Sequence, residues 1–131
     1  MPLGRAIIKS LSDLQSVRAH SKDPTVHAMF DKLLSHAERH GWTMVFTKSK
    51  TAGVQFHKEH SKGSYRHSFI VNANALNFYL RPPALRIDHL ASRRAEEAFE
   101  HVKPAANRAG ETTVQLRSVA DAQRAAEMFL I

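Results

Sequence analysis

Four short segments in the middle of the chain alternate apolar with polar or small residues. They span residues 42–47, 53–58, 65–71 and 76–81. A period of two is typical of a β-strand that buries one face, and short polar or turn-forming connections separate consecutive segments. The pattern therefore predicts an antiparallel meander. Its buried face is expected to hold the apolar members of the pattern, namely Trp42, Met44, Phe46, Val54, Phe56, Phe69, Val71, Leu76, Phe78 and Leu80.

The strongest helix signal lies just ahead of the meander. Asp23 and Pro24 combine an N-cap acceptor with a proline at the first helical position. Apolar residues then recur at three- and four-residue spacing until Gly41, which is suited to end a helix in a left-handed conformation. This predicts a helix over residues 24–40 whose apolar stripe lies on the sheet.

Capping boxes indicate two further helices. Ser10 with Asp13 predicts a short helix near the N-terminus, and Ser118 with Asp121 predicts a last helix that follows a fifth strand over residues 111–117. Between the meander and that strand, two prolines are expected to end the fourth strand. The chain is then expected to be irregular over residues 84–91 and helical over residues 92–102.

These elements predict an α+β fold with the order α-α-β-β-β-β-α-β-α. An antiparallel sheet of four to five strands is expected to be packed by helices mainly on one face. The chain of 131 residues is interpreted as a single domain over residues 1–131. Within it, residues 1–22 form an N-terminal extension and helix, and residues 23–131 form the α+β core.

The charge of the chain is concentrated in the predicted sheet. The formal net charge is +7 and the pI is about 10.1. Residues 41–94 hold nine Lys and Arg against two Asp and Glu, whereas residues 95–131 hold four against six. A localised positive field attracts polyanions and is typical of nucleic-acid-binding proteins. The distribution therefore predicts nucleic acid as the partner.

The composition also limits where the protein acts. The chain has no cysteine, which excludes disulfides and thiolate metal sites and suits a reducing compartment. Its first residues lack the apolar core of a signal peptide, and no apolar run approaches the length of a membrane span. We therefore expect a cytoplasmic protein without a membrane partner.

Two motifs carry a resemblance to a known family. They are the Arg81-Pro-Pro break after the meander and the run from Gly110 to Ala125, in which a strand ends in Arg117-Ser118 and leads into a helix. This arrangement resembles the small bacterial domain described as a predicted transport protein, which also occurs appended to restriction-type nucleases. The resemblance covers roughly residues 27–130. It implies a defence- or phage-related, nucleic-acid-linked setting and transfers no catalytic residue.

The candidate site is the polar face of the predicted sheet and its loops. A sheet covered on one side can bind single-stranded nucleic acid, with aromatic rings stacking on bases and Arg or Lys following the phosphates. Tyr79 is the expected stacking residue. The side-chain amides of Gln55, Asn77 and Gln115 are expected to read base edges. The nucleic-acid-binding residues are predicted to be Lys48, Lys50, Gln55, His57, Lys58, Lys62, Arg66, Asn77, Tyr79, Arg81 and Arg117.

Catalysis is the first alternative, and a metal site or a cofactor is not assigned. Clustered carboxylates for a metal-dependent nuclease are lacking, because Glu59 and Asp88 are the only acids of the basic region. A metal-independent ribonuclease-like toxin remains an alternative, with His57 or His67 as general base and Arg66 stabilising the phosphorane.

Two other interpretations remain open at this point. His36 and His40 have the four-residue spacing that can present two nitrogens to one metal ion, although no ligand motif completes such a site. Val45 and Ile70 fall on the polar face beside Tyr79, and exposed apolar residues of this kind favour a protein-binding adaptor or inhibitor, or a homodimer.

Overall fold

The computed structural model describes residues 11–48, 51–58, 66–103 and 110–131. Five helices and six strands occur in these ranges. In chain order they are α1 Leu11–Arg18, α2 Pro24–Arg39, β1 Thr43–Lys48, β2 Ala52–His57, β3 His67–Val71, β4 Leu76–Leu80, α3 Pro82–Ile87, α4 Ala91–Ala98, β5 Val102–Lys103, β6 Thr112–Leu116 and α5 Val119–Phe129.

The strands form one antiparallel sheet with the order β1-β2-β3-β4-β6-β5. The predicted meander supplies the first four strands, and β6 pairs with β4 over five residues, from Leu76 opposite Leu116 to Leu80 opposite Thr112. The α+β class and the antiparallel sheet are therefore confirmed. The sheet has six strands instead of four to five because β5 adds a short edge to β6.

Two predictions for the segment after the meander were wrong. Of residues 84–91, only residues 88–90 are irregular, because α3 begins at Pro82, where the missing N–H of proline costs no hydrogen bond, and extends to Ile87. The helix expected over residues 92–102 ends at Ala98, and Phe99 adopts extended backbone with φ −127° and ψ 149°. The chain then becomes β5, because the carbonyl of His101 accepts the N–H of Gln115 at 2.9 Å and Val102 pairs with Val114.

The core lies between one face of the sheet and the helices. All ten inward residues predicted for the meander are at most 6% exposed, which confirms the strand alternation. The buried residues of α1, α2, α4 and α5 belong to the same cluster as these strand residues, so the helices cover this face of the sheet. Phe78 on the central β4 shows the packing, with its ring centroid 6.4 Å from that of Phe56 and 6.0 Å from that of Phe129.

The local signals for helix ends are confirmed where the structure describes them. Oδ1 of Asp23 accepts the N–H of Thr25 at 2.8 Å, and Gly41 after α2 has a φ of +79°. The hydroxyl of Ser118 accepts the N–H of Asp121 at 3.1 Å at the start of α5. Ser10 lies outside the described residues. No helix of the described ranges is long and apolar enough to cross a membrane.

Gly53 allows β2 and β3 to approach each other closely. A Cβ atom at this position would lie 2.8 Å from the carbonyl oxygen of Phe69, which belongs to the backbone of the neighbouring strand. Because a ladder carbonyl cannot move without disturbing strand pairing, any side chain here forces β2 away from β3.

We expect Gly53→Ala to lower the free energy of unfolding by about 1–3 kcal/mol, the usual cost of overpacking. Urea unfolding at neutral pH measures this loss. Thr113→Ala on the same sheet face is the control and should cost less than about 1 kcal/mol. Equal stability of Gly53→Ala and the native protein would show that β2 and β3 separate without cost.

Candidate nucleic-acid-binding face

The side of the sheet opposite the core presents two rows of side chains. The strand register pairs the members of each row directly, from β1 at one edge to β5 at the other. We call these two rows the open face. The first row contains Val45, Gln55, Ser68, Tyr79, Thr113 and Lys103, and the second contains Thr47, Gly53, Ile70, Asn77, Gln115 and His101.

A chain of hydrogen bonds orders the polar side chains on β4 and β6. Nε of Arg117 donates to Oε1 of Gln115 at 2.6 Å, and Nε2 of Gln115 donates to Oδ1 of Asn77 at 3.5 Å. Asn77 is in turn hydrogen-bonded to Tyr79 two residues along β4. We call these four side chains the polar line. Their positions are set before a ligand arrives, which lowers the entropy lost on binding.

Tyr79 is half-buried on the open face. Burial raises the pKa of its hydroxyl, the hydrogen bond with Asn77 opposes this shift, and the carboxylate of Glu111 adds to it. The hydroxyl therefore stays protonated at neutral pH and can donate a hydrogen bond. The ring is the aromatic surface that the sequence predicted for stacking.

A groove with a volume of about 410 Å³ lies beside the polar line at the β5 edge of the sheet. We call it the edge groove. Its volume lies within the roughly 300–1,000 Å³ that small-molecule pockets occupy, so it can hold one nucleotide unit. The side chains around it are mainly polar, with two cations and one carboxylate. The lining residues are Asn77, Glu100, His101, Val102, Lys103, Thr113, Gln115 and Arg117.

Sequence reasoning missed the contribution of β5 to this groove. Lys103 lies on the open face because it pairs with Thr113, and His101 lies there because its carbonyl bonds to Gln115. Both residues were assigned to the end of a helix or to a loop, since a two-residue strand has no measurable period. The sequence does contain one signal for β5. The alternating residues of β6 predict a strand, and the free edge of a strand has backbone groups that need a partner.

Two predicted cations already have partners within the protein. Arg81 forms an ion pair with the carboxylate of Glu111, and both side chains are less than one-third exposed. Nζ of Lys58 donates to the carbonyl of His40 at 2.6 Å and lies 4.5 Å from the centroid of the Trp42 ring. A phosphate must therefore compete with these partners to bind Arg81 or Lys58.

The other predicted residues lie beside the two rows of the open face or outside the described residues. Arg66 is half-buried at the start of β3, where its N–H donates to the carbonyl of Phe56 at 3.0 Å. On β2, Nε2 of His57 lies 3.4 Å from Oε1 of Gln55. The predicted contacts outside the described residues are Lys50, Lys62 and the side chain of Lys48.

His67 lies in the core and not on the open face. It is 5% exposed, and its ring centroid lies 5.5 Å from that of Trp42 and 5.6 Å from that of Phe78. Burial lowers its pKa to about 3, Arg66 adds to this shift, and a hydrogen bond to the backbone of Phe129 opposes it. Buried in this way, His67 is not placed on the open face as a general base, and of the two histidines of the ribonuclease alternative only His57 lies outside the core.

The histidines of α2 stack on each other. The ring centroids of His36 and His40 are 4.2 Å apart and the planes differ by 12°. Burial lowers the pKa of His36, and His40 and Arg39 add to this shift. Within the described ranges, no three His, Asp or Glu side chains come close enough to hold a metal ion.

Comparison of the chain with protein-family models, with curated proteins and with solved structures gives no match. The resemblance to the predicted transport protein domain stays a prediction from the two motifs that carry it.

The buried state of His67 predicts a dependence of stability on pH. An unfolded histidine titrates near pH 6.5, whereas folded His67 stays neutral down to a pH of about 3. The unfolded chain therefore binds a proton that the folded chain does not, and this contribution to stability is lost as the pH falls below 6.5. By about pH 4.5 the loss amounts to about 3 kcal/mol.

We expect His67→Phe to remove most of this loss, because phenylalanine fills the aromatic site and does not titrate. Urea midpoints of the native protein and the variant at about pH 7 and about pH 4.5 measure the difference. His20→Phe is the matched control at an exposed position and should keep the native pH dependence. The same pH dependence in His67→Phe and the native protein would show that another group causes the loss.

Proposed function

We propose that the protein binds single-stranded nucleic acid on its open face, without a chemical step of its own. The observation that carries this proposal is the polar line, because three of its four hydrogen-bonded side chains, Asn77, Gln115 and Arg117, line the edge groove together with Lys103. The line combines an aromatic ring, two amides and a guanidinium. These are the groups that stack on bases, read base edges and contact phosphates.

Each group has a distinct task in the proposed complex. The ring of Tyr79 stacks on one base, and the amides of Asn77 and Gln115 hydrogen-bond to base edges. Arg117 and Lys103 contact phosphates from the two sides of the edge groove. Because each amide carries both a donor and an acceptor, the amides determine any preference for particular bases. The two cations contribute affinity that does not depend on the base.

The proposed site is displaced toward one edge of the sheet relative to the sequence prediction. Arg81 and Lys58 are held by partners within the protein, so phosphate binding at either residue first breaks an existing interaction. Among the described residues, no side chain forms a hydrogen bond or an ion pair with Lys103, so phosphate binding there breaks no such interaction within these ranges. We therefore place the centre of binding at the edge groove, with Arg66 at the other end of the track.

The cellular setting is a further part of the proposal. The lack of cysteine supports a cytoplasmic location. The two motifs that resemble the predicted transport protein domain support a defence- or phage-related role.

Charge removal at the edge groove tests the phosphate contacts. We expect Lys103→Ala and Arg117→Ala each to weaken binding of labelled single-stranded RNA or DNA, and to lower the salt slope by about 0.7 per lost phosphate contact. Fluorescence anisotropy at low and physiological salt measures both quantities, and gels of the recovered probes check that they stay intact.

The matched controls for charge are Lys22→Ala after α1 and Arg93→Ala on α4, both exposed and outside the two rows of the open face. Each removes one positive charge and should leave the affinity within about twofold. Equal losses in the controls would reduce binding to general electrostatics and contradict the assigned face. Cleaved probes would contradict a non-catalytic role.

Stacking is tested separately at Tyr79. We expect Tyr79→Ala to weaken binding by about 1–3 kcal/mol, the usual value of one stacked base, while Tyr79→Phe keeps the ring and most of the affinity. The same anisotropy titration measures both variants, and circular dichroism checks their folding. Equal affinity of the Ala and Phe variants would show that no base stacks on this ring.

A further inference from the structure

A second surface of different chemistry lies at the helical end of the molecule. Among the described residues, Ile87, Leu90 and Ile131 are exposed by 64%, 51% and 70%. Ile87 and Ile131 line a pocket of about 180 Å³, and Leu90 precedes another lining residue, Ala91. We call these three exposed residues and this pocket the Ile87 patch. Its remaining apolar walls are Trp42, Ala84, Ala91, Met128 and Phe129.

The charged groups around this patch are mainly positive. Arg66 and Arg94 line the pocket together with a single acid, Asp88. Asp88 and Arg94 form an ion pair, and the hydrogen bond from Arg94 lowers the pKa of the carboxyl group. Arg86 is exposed directly before Ile87. Asp88 and Arg94 neutralise each other, so Arg66 and Arg86 determine the charge around the patch. The surface is therefore apolar at its centre and positive at its border.

Two residues that line the pocket carry buried polar atoms without a partner in the described part of the chain. Nε1 of Trp42 and Nδ1 of His67 are buried and lack a hydrogen-bond partner within the described residues. Buried polar atoms are normally paired, so two unpaired atoms in residues that line one pocket indicate an incomplete site. Both atoms are buried from solvent, and Met128, whose unbranched side chain adapts easily to a new neighbour, also lines the pocket.

We propose that the Ile87 patch binds an acidic segment of a partner protein, which inserts one aromatic or aliphatic side chain into the pocket. A volume of about 180 Å³ is below the range of about 300 Å³ and more for drug-sized ligands, and suits one side chain. The exposed apolar residues around it become buried in the contact, and acidic residues of the segment pair with Arg66 and Arg86. An apolar anchor with charged neighbours is a common form of protein recognition.

Other occupants fit these observations less well. Nucleic-acid interfaces are strongly polar, and the exposed aliphatic side chains offer nothing to a phosphate. In a symmetric dimer through this patch, the same arginines of two copies would face each other and repel. This pocket shares no lining residue with the edge groove, although Arg66 belongs both to the pocket and to the proposed nucleic-acid track.

Selection from a random peptide library displayed on phage tests the proposal and needs no identified partner. The whole chain is the target, and Ile87→Glu is the counter-selection target, which should fold normally because the side chain is 64% exposed. We expect enriched peptides to be acidic with one aromatic or aliphatic residue. Failure to enrich peptides that distinguish the two targets, or enrichment of basic peptides, overturns the proposal.

An enriched peptide is then titrated against variants. We expect Ile87→Glu to lower the affinity by about tenfold or more and Arg86→Glu to lower it severalfold. Val119→Glu is the matched control, because Val119 is 39% exposed at the other end of α5, about 15 Å away along the helix. Lys103→Ala should also bind the peptide normally. An equal loss in Val119→Glu contradicts the assigned patch.

The single tryptophan of the chain reports directly on the pocket. Because Trp42 lines it, peptide binding should shift the indole N–H resonance and change the fluorescence. A peptide that binds without either change lies elsewhere and overturns the proposal. A mononucleotide such as AMP or UMP that moves the same signal and competes with the peptide assigns the pocket to a nucleobase instead.

Discussion

The structure depends on the antiparallel pairing of β4 with β6. This pairing joins the N-terminal meander to the C-terminal part of the chain, and it aligns residues on both faces of the sheet at once. On the core side it sets Phe78 opposite Val114, where α2 and α5 cover both. On the other side it sets Asn77 opposite Gln115, which creates the polar line. A shift of the β4–β6 register by one residue would exchange the two faces of one strand, and both the core packing and the polar line would be lost.

Burial gives the two faces of the sheet opposite chemistry. His67 and Tyr79 lie on adjacent strands, yet His67 is held neutral among aromatic rings while Tyr79 is half-buried within a hydrogen-bonded row. A titratable group inside the core has its pKa shifted by the cost of desolvation. Its titration contributes to the dependence of stability on pH. The polar groups of the open face are those that the alternation directs away from the helices.

The positive charge is less concentrated in the structure than the clustering of Lys and Arg along the sequence indicates. Arg18, Arg81 and Arg94 are each paired with a carboxylate, and in the case of Arg81 the partner is 30 residues away in the chain. What remains forms two separate surfaces. One is polar and bordered by Lys103 and Arg117, whereas the other is apolar and bordered by Arg66 and Arg86. The two surfaces suit ligands of different chemistry.

The sequence by itself determined most of the elements and most of the sheet's core. Period-two alternation identified ten inward residues of the meander, and Asp23, Gly41 and Ser118 marked helix ends, because these signals depend only on near neighbours along the chain. The same alternation places His67 on the side of Phe69 and Val71, so the burial of His67 could also be predicted from the sequence.

Only the tertiary structure decided the strand order, the short strand β5 and the ion pair of Arg81 with Glu111. Each of these depends on contacts between residues far apart in the chain. A helical spacing from Ala95 to Val102 is equally compatible with a long helix, and only the free edge of β6 makes the extended conformation of Val102 and Lys103 more stable. For the same reason the edge groove and the Ile87 patch could not be derived from local patterns. Both are formed where separate elements meet.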